Sequence, residues 1–183
     1  MKQLLSRAYR NQLIELHGAD AAWGTTGSEY FLEVMKAAKD DGCKSLLDYG
    51  CGKGYLVAMI KDYMVSKPEK VPEDLVRVEG YDPAVKDYLE LPAPADLIVS
   101  TDVFEHIEPE NLDTVLGHIA GLMLISGFFV IFTGKAKAIL PDGRNAHLIQ
   151  EGEDFWAAKL KEHWPSVETS VDSRGRVHAR VWK

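Results

Sequence analysis

The sequence has few cysteines, no long apolar run and no excess of positive charge. Only two cysteines, Cys43 and Cys51, occur in 183 residues, which leaves little scope for a disulfide framework or a cysteine zinc site. No stretch reaches the roughly 18 apolar residues that a membrane-spanning helix requires. The formal net charge of −7 disfavours a dedicated polyanion binder. These absences leave an ordinary globular protein with no membrane partner.

The N-terminal segment is amphipathic and interrupted by charges, so it lacks the unbroken apolar core of a signal peptide. We therefore expect the mature chain to begin near Met1 and to stay in the cytoplasm. A chain of this length fits one domain with a sizeable core. We expect helices over residues 1–42 and an α/β core over residues 43–183.

Apolar runs alternate with helical patterns along the rest of the chain. Strands are predicted at "KSLLDY", "LVRVEGYD", "ADLIVS" and "GFFVIFT". One helix, "YLVAMIKDYM", follows the first strand, and another begins at Pro109, between the third and fourth strands. The stretch "VETSVDSRGRVHARVW" is typical of a hairpin. The pattern predicts a doubly wound α/β fold whose mostly parallel sheet ends in an antiparallel C-terminal hairpin.

Three glycines in five residues follow the first predicted strand, in "LLDYGCGKGYL". Gly50, Gly52 and Gly54 permit positive φ and let a ligand approach the main chain, beside the N-terminus of the next helix. Tyr55 stands where a dinucleotide-binding loop has its third glycine, and no Gly-Lys-Ser/Thr follows, so a nicotinamide enzyme or a P-loop is disfavoured. Asp82 ends the second strand, where a carboxylate can accept hydrogen bonds from both hydroxyls of a ribose.

These motifs resemble those of class I S-adenosylmethionine-dependent methyltransferases, including uncharacterised ones from bacteria and their phages. The glycine loop resembles the first motif of that family, and "VEGYDPA" resembles its acidic second-strand motif. "ADLIVSTDVFEHIEPENLDTVL" is similar to the region of its fourth strand. The resemblance implies a Rossmann-like fold, S-adenosyl-L-methionine as cofactor, and N-terminal helices that cover the cofactor site, with "WGTTG" as part of the lid.

The resemblance also implies which residues bind the cofactor. Gly50 and Gly52 would face its methionine and ribose parts, and Asp82 would bind the ribose. The full set of implied cofactor residues is Asp48, Tyr49, Gly50, Gly52, Gly54, Asp82, Pro83, Thr101, Asp102 and Val103.

The spacing after the second predicted strand departs from the family pattern. Only 13 residues separate Asp82 from Asp96, too few for the usual helix, strand and connection. We therefore expect the third strand of the family to be reduced or missing. The adenine contact that normally follows it is then unassigned, with Asp87 as a weak candidate.

Two histidines are the predicted catalytic residues. Methyl transfer needs an aligned nucleophile and, where necessary, a base, a role that His106 or His147 would fill. Asp102, Glu105 and His106 are spaced i, i+3, i+4, and with His147 they offer oxygen and nitrogen ligands for a divalent metal. This set resembles that of metal-dependent 2′-O-methyltransferases of small RNAs, except that the first acid is Asp. Structural roles for the same residues stay open.

We therefore predict an enzyme that methylates an O- or N-nucleophile of a small-molecule acceptor. Metal-assisted methylation of RNA or a nucleotide stays open, because residues 135–183 carry 9 basic and 7 acidic side chains in an otherwise acidic chain. A catalytically silent module that binds the cofactor is the third alternative. The arginines of the hairpin, Arg174, Arg176 and Arg180, fit a solvated turn better than a phosphate clamp.

Overall fold

A six-stranded sheet forms the centre of the computed structural model, which describes residues 4–19 and 23–183. The parts of the predicted N-terminal helices at residues 1–3 and 20–22 lie outside the described residues. The sheet order is β2-β1-β3-β4-β6-β5, with parallel pairing from β2 to β4 and antiparallel pairing from β4 to β5. The predicted fold, including its C-terminal hairpin, is confirmed. The strands are β1 (Ser45–Tyr49), β2 (Arg77–Tyr81), β3 (Ala95–Thr101), β4 (Met123–Phe132), β5 (Ser166–Val171) and β6 (Arg176–Trp182).

Helices cover both faces of this sheet. They are α1 (Arg7–Ala19), α2 (Phe31–Asp40), α3 (Tyr55–Ser66), α4 (Leu112–Leu122) and α5 (Glu153–Lys161). Adjacent side chains of a strand point to opposite faces, so Leu46 packs in the cluster with α2 and α3, and Leu47 packs in the cluster with α4 and α5. Among the described residues, no helix combines the length and the hydropathy needed to cross a bilayer.

The predicted loss of a strand after β2 is confirmed. Residues 82–94 contain a 3₁₀ turn, Lys86–Tyr88, and no strand, so β2 is an edge strand. Tyr88 occupies part of the space: its carbonyl oxygen accepts a hydrogen bond from the Asp82 N–H at 2.9 Å, and its ring packs on Gly80. A Cβ at Gly80 would lie 3.0 Å from this ring, so the small residue makes room for it. One tyrosine thus closes the face that a longer connection would cover.

The boundary between α4 and β4 differs from the prediction. Strand β4 begins at Met123, four residues before Gly127, directly where α4 ends. Leu122 and Met123 are consecutive and both are buried, so neither a turn residue nor the hydrophobic periodicity marks the end of the helix. A 3₁₀ turn, Pro109–Asn111, precedes α4 where the sequence predicted the first turn of the helix.

We expect Gly54→Ala to destabilise the fold by roughly 1–3 kcal/mol, because the backbone there has φ +72 and the new Cβ would overlap the hydroxyl of Tyr88. Urea denaturation followed by circular dichroism would measure the free energy of unfolding. Gly121→Ala is the control, since nothing lies within 4 Å of a Cβ at that position in α4. If the two variants are equally stable, the packing of Tyr88 against the loop is wrong.

Candidate functional site

A cavity of about 690 Å³ opens at the carboxyl ends of the parallel strands, next to the point where β1 lies between β2 and β3. Open α/β sheets bind ligands at this position, and the volume is that of a small-molecule site. The strand ends contribute Gly50, Asp82 and Thr101 to its wall. Helix α1 and residues 23–26 line another side, and residues 135–138 after β4 line a third.

The glycine loop at the base of the cavity requires glycine for internal packing. Gly50, Gly52 and Gly54 all have positive φ, at +80, +53 and +72. A Cβ at Gly50 would lie 2.5 Å from the Val103 side chain, and one at Gly52 would lie 2.6 Å from Gly24. The backbone N–H of Lys53 also donates to the Gly24 carbonyl at 3.0 Å. The predicted lid segment therefore packs directly on the loop.

Asp82 connects the end of β2 with this loop. Its carboxylate accepts hydrogen bonds from the N–H groups of Gly52 at 3.0 Å and of Ala84 at 2.8 Å. A carboxylate has about four lone-pair directions, so it retains acceptor capacity towards the cavity. Next to it, Pro83 lines the cavity, and its carbonyl accepts from the side chain of Arg10 at 2.6 Å.

The remaining predicted cofactor residues differ in whether they line the cavity. Tyr49 lines the cavity, and its hydroxyl lies 2.9 Å from Nδ1 of His118. Asp48 and Gly54 are buried but do not line the cavity. Burial and, to a smaller extent, the charge of Asp82 raise the pKa of the Asp48 carboxyl to about 7. Asp87 is exposed and is not part of the wall.

Asp102 and Arg176 form a polar corner of the cavity. Asp102 follows β3 with φ +54, a left-handed conformation that is costly for a residue other than glycine. Its carboxylate lies 3.6 Å from a guanidinium nitrogen of Arg176. Within the described chain, Oδ1 of Asp102 and Nε of Arg176 are both buried without a hydrogen-bond partner. Burial raises the pKa of Asp102, against the lowering effect of Arg176.

Arg176 was expected in a solvated turn, and for this arginine the expectation is wrong. Its side chain is 11% exposed, whereas that of Arg174 is 51% exposed. The Arg176 guanidinium lies over the rings of Tyr30 and Phe132, with its central carbon 5.8 and 5.5 Å from their centroids. Register places it there, because Arg176 pairs with Phe132 at the carboxyl end of β4. No local sequence signal marks this antiparallel register.

His106 and His147 lie together in the wall, with ring centroids 4.7 Å apart. Nδ1 of His106 lies 2.8 Å from the Ala146 carbonyl oxygen, and Nδ1 of His147 lies 2.5 Å from that of Gly134. A carbonyl only accepts, so each Nδ1 carries a proton and each Nε2 has a free lone pair. Burial, followed by the neighbouring imidazole, lowers the pKa of His106 to about 3. Burial also lowers the pKa of His147.

Glu105 lies beside the two histidines. Potential ligand atoms of Glu105, His106 and His147 fall within 4.8 Å of one another. One oxygen of Glu105 accepts the Phe132 N–H at 3.0 Å, and the other has no partner in the described chain. Burial, and then the charge of Asp102, raise the pKa of Glu105 well above its usual value. Asp102, the fourth predicted ligand, is not in this cluster, because its carboxylate faces Arg176.

A small cap, consisting of α1 and residues 134–148, forms one end of the cavity. Its core contains Tyr9, Leu140 and Ala146. The Tyr9 hydroxyl donates to the His106 carbonyl at 2.6 Å, and the backbone N–H and hydroxyl of Ser6 donate to Glu108 at 2.7 Å. These contacts hold α1 against the loop after β3 and enclose a second compartment beside the glycine loop.

Comparison with known proteins gives a consistent result. A family model described as a methyltransferase domain matches residues 23–178. The 1,6-didemethyltoxoflavin-N1-methyltransferase of Burkholderia thailandensis, solved with bound 1,6-didemethyltoxoflavin and S-adenosylhomocysteine, superposes with a TM-score of 0.63 at 15% identity, over 96% of this chain and 88% of that one. The mitomycin 7-O-methyltransferase gives 0.61 at 14% identity, over 93% and 60%. Such low identities establish the fold alone.

Two further comparisons involve another solved methyltransferase domain and a relative that is similar in sequence. The methyltransferase domain of bacterial CtHen1 superposes with a TM-score of 0.56 at 16% identity, over 85% of this chain and 98% of that one. The cyclopropane-fatty-acyl-phospholipid synthase of Escherichia coli K12 is 33% identical over 103 residues, 50% of this chain. The matched region is 26% of the length of that synthase.

We expect the low pKa of His106 to make the protein less stable in mild acid. An unfolded histidine binds a proton near pH 6.5, whereas folded His106 does so only near pH 3, so stability is lost as the pH falls below 6.5. His106→Asn keeps an N–H near the Ala146 carbonyl but cannot take up a proton. Between pH 7 and 5 its free energy of unfolding should therefore fall by about 1–2 kcal/mol less than that of the wild type. Urea denaturation at both pH values measures the difference, and parallel losses in variant and wild type would contradict it.

Proposed function

The chain belongs to the methyltransferase-domain family, and on this basis we propose that it transfers the methyl group of S-adenosylmethionine to an O- or N-nucleophile of a small molecule. One observation carries the proposal. A single cavity joins the glycine loop, where the cofactor would lie, to a pair of uncharged histidines, where an acceptor would lie. The cofactor would bind along the strand ends, with Asp82 on the ribose hydroxyls and the loop of Gly50 and Gly52 beneath it.

The polar corner fits the amino-acid end of the cofactor. That end carries an ammonium and a carboxylate on one carbon, and Asp102 and Arg176 present the opposite charges 3.6 Å apart. Each of the two side chains keeps a buried atom without a partner in the described chain, which a zwitterion would supply. Thr101 lies next to them in the cavity wall. Stacking on Phe132 holds the guanidinium ready, so little conformational entropy is lost on binding.

The chemical step needs few groups. The acceptor atom attacks the methyl carbon in line, the new bond forms as the carbon–sulfur bond breaks, and sulfur keeps the electron pair. The proton of the nucleophile passes to a neutral imidazole. We assign this to Nε2 of His147, because His106, with a pKa of about 3, is too weak a base near neutral pH. His106 then positions His147 through the contact between their rings.

We expect the wild-type protein to bind S-adenosylhomocysteine in the micromolar range and not to bind NADH. Arg176→Gln should weaken S-adenosylhomocysteine about 10- to 100-fold, the cost of losing charge-assisted hydrogen bonds. Binding of 5′-methylthioadenosine, which lacks the amino-acid end, should change less than about threefold. Isothermal calorimetry measures all three ligands.

Arg174→Gln is the matched control for this experiment, since it removes an exposed arginine from the same hairpin. Equal weakening of both nucleoside ligands in Arg176→Gln would show that Arg176 supports the fold and does not contact the amino-acid end. Absence of S-adenosylhomocysteine binding by folded wild-type protein would overturn the proposed function. Tight binding without turnover on any acceptor would favour a silent cofactor-binding module.

A metal-assisted reaction on RNA or a nucleotide is the second candidate, and the cluster of Glu105, His106 and His147 favours it. The residues fit a divalent cation in three respects. The donor set is one oxygen and two nitrogens, the Nδ1 atoms are held by carbonyls, and a buried carboxylate oxygen lacks a partner in the described chain. A bound cation would supply Lewis acidity to the acceptor oxygen.

This second candidate predicts that Co²⁺ binds the protein and produces a visible d–d absorption band, with a rise in melting temperature by mass action. Glu105→Gln should abolish the band. Glu110→Gln, which changes an exposed acid on the neighbouring turn, should retain it. No band in the wild type would remove the metal candidate and leave the histidines as uncharged proton acceptors.

A further inference from the structure

The second compartment of the cavity is mostly apolar. Besides the histidine pair, it is lined by apolar side chains of α1 and the residues before it, of the loop after β3 and of the segment after β4, namely Leu4, Leu5, Leu13, Ile107, Ala136 and Ala138. These side chains are half-buried, so a ligand of matching shape would take them out of water. Burial of apolar surface stabilises a complex by roughly 25 cal/mol for each Å². The compartment therefore suits a ligand with an apolar body.

The fixed charges of this compartment are positive. Lys135 and Lys137 line the cavity and are exposed, and neither forms an ion pair or a hydrogen bond with the described part of the chain. The two carboxylates of the wall, Asp82 and Asp102, lie at the strand ends, where backbone N–H groups and Arg176 face them. Two unpaired ammonium groups thus remain beside the apolar surface.

The other acids close to the compartment already have partners or are buried. Asp142 pairs with Arg144 at 2.7 Å, and Glu108 accepts two hydrogen bonds from Ser6. Glu105 is fully buried, and one of its oxygens accepts the Phe132 N–H at 3.0 Å. Nδ1 of each histidine faces a main-chain carbonyl oxygen. A cationic amine would therefore meet no accessible, unengaged carboxylate among these acids, whereas an anion would meet two ammonium groups.

We propose that the acceptor is a small organic anion, with a carboxylate, sulfonate or phosphate group held by Lys135 and Lys137 and an apolar body against the cap. The inference rests on the proposed function, because it takes this compartment as the place where the methyl acceptor binds. The nucleophilic atom of the acceptor faces His147, and its anionic group faces the two lysines. The protein as a whole has a net charge of −7, so the positive charge of the two lysines is local. An anion would therefore enter with its charged group towards these lysines.

A pair of fluorescent probes tests this inference without knowledge of the acceptor. One is 8-anilinonaphthalene-1-sulfonate, and the other is N-phenyl-1-naphthylamine, which has the same ring system without the sulfonate. With S-adenosylhomocysteine present, the double variant Lys135→Gln/Lys137→Gln should bind the sulfonate probe about tenfold more weakly, through loss of two partly exposed charge pairs. It should bind the neutral probe within about twofold of wild type. Added salt should weaken only the sulfonate probe.

A matched control separates a local effect from a change in net charge. Lys61→Gln/Lys70→Gln removes two exposed lysines that do not line the cavity, and it should leave both probes unaffected. Ala138→Phe fills the compartment and should weaken both probes, with retained S-adenosylhomocysteine binding as evidence of folding. If it leaves both probes bound, they occupy another surface and the assignment is wrong.

The remaining outcomes are decisive. Equal loss of the sulfonate probe in the two lysine double variants, or equal loss of both probes in Lys135→Gln/Lys137→Gln, would overturn the anionic acceptor. Displacement of the sulfonate probe by a short single-stranded oligoribonucleotide, but not by an aromatic carboxylate such as 4-hydroxybenzoate, would overturn the small-molecule acceptor in favour of RNA. Calorimetry with S-adenosylhomocysteine runs separately, so a failed cofactor site and a failed acceptor site give different results.

Discussion

The carboxylate of Asp82 is the interaction on which the site depends. Its hydrogen bonds to Gly52 and Ala84 join the end of β2 to the loop after β1, across the point where a ligand would lie. The loop in turn supports the lid segment, because Gly52 touches Gly24 and the Lys53 N–H donates to the same residue. One buried side chain thus fixes three pieces of chain that are distant in sequence. The conformation of the cavity floor is set before any cofactor arrives.

Local sequence patterns were sufficient to predict the sheet and the loops at the carboxyl ends of β1 and β2. The glycine loop, the acid after β2, the missing strand and the terminal hairpin each carry their own signal within about a dozen residues, through turn chemistry and periodicity. The positive φ of Gly50, Gly52 and Gly54 agrees with that reasoning. What the sequence did not reveal is that the glycines also make room for protein neighbours, since those neighbours come from other segments of the chain.

The acceptor side could not be predicted, because it depends on contacts between segments far apart in sequence. Arg176 enters the cavity only through the register of β6 on β4, and the unpaired state of Lys135 and Lys137 depends on where every acid lies. The predicted set of four metal ligands was correct in part. Glu105, His106 and His147 lie close together, but the strained backbone of Asp102, the fourth predicted ligand, turns its carboxylate towards Arg176. Spacing indicates neighbours on a regular helix, and Asp102 is not in one.

His106 contributes to both the cavity wall and the attachment of α1. Its ring is part of the cavity wall, while its carbonyl accepts the hydrogen bond from Tyr9 that holds α1 in place. Any displacement of α1 would break this bond to the backbone of His106. Access to the cavity and the placement of the histidine pair are therefore mechanically linked. Tyr9 and His106 are 97 residues apart in sequence, so the helix and this part of the cavity wall support each other only in the folded chain.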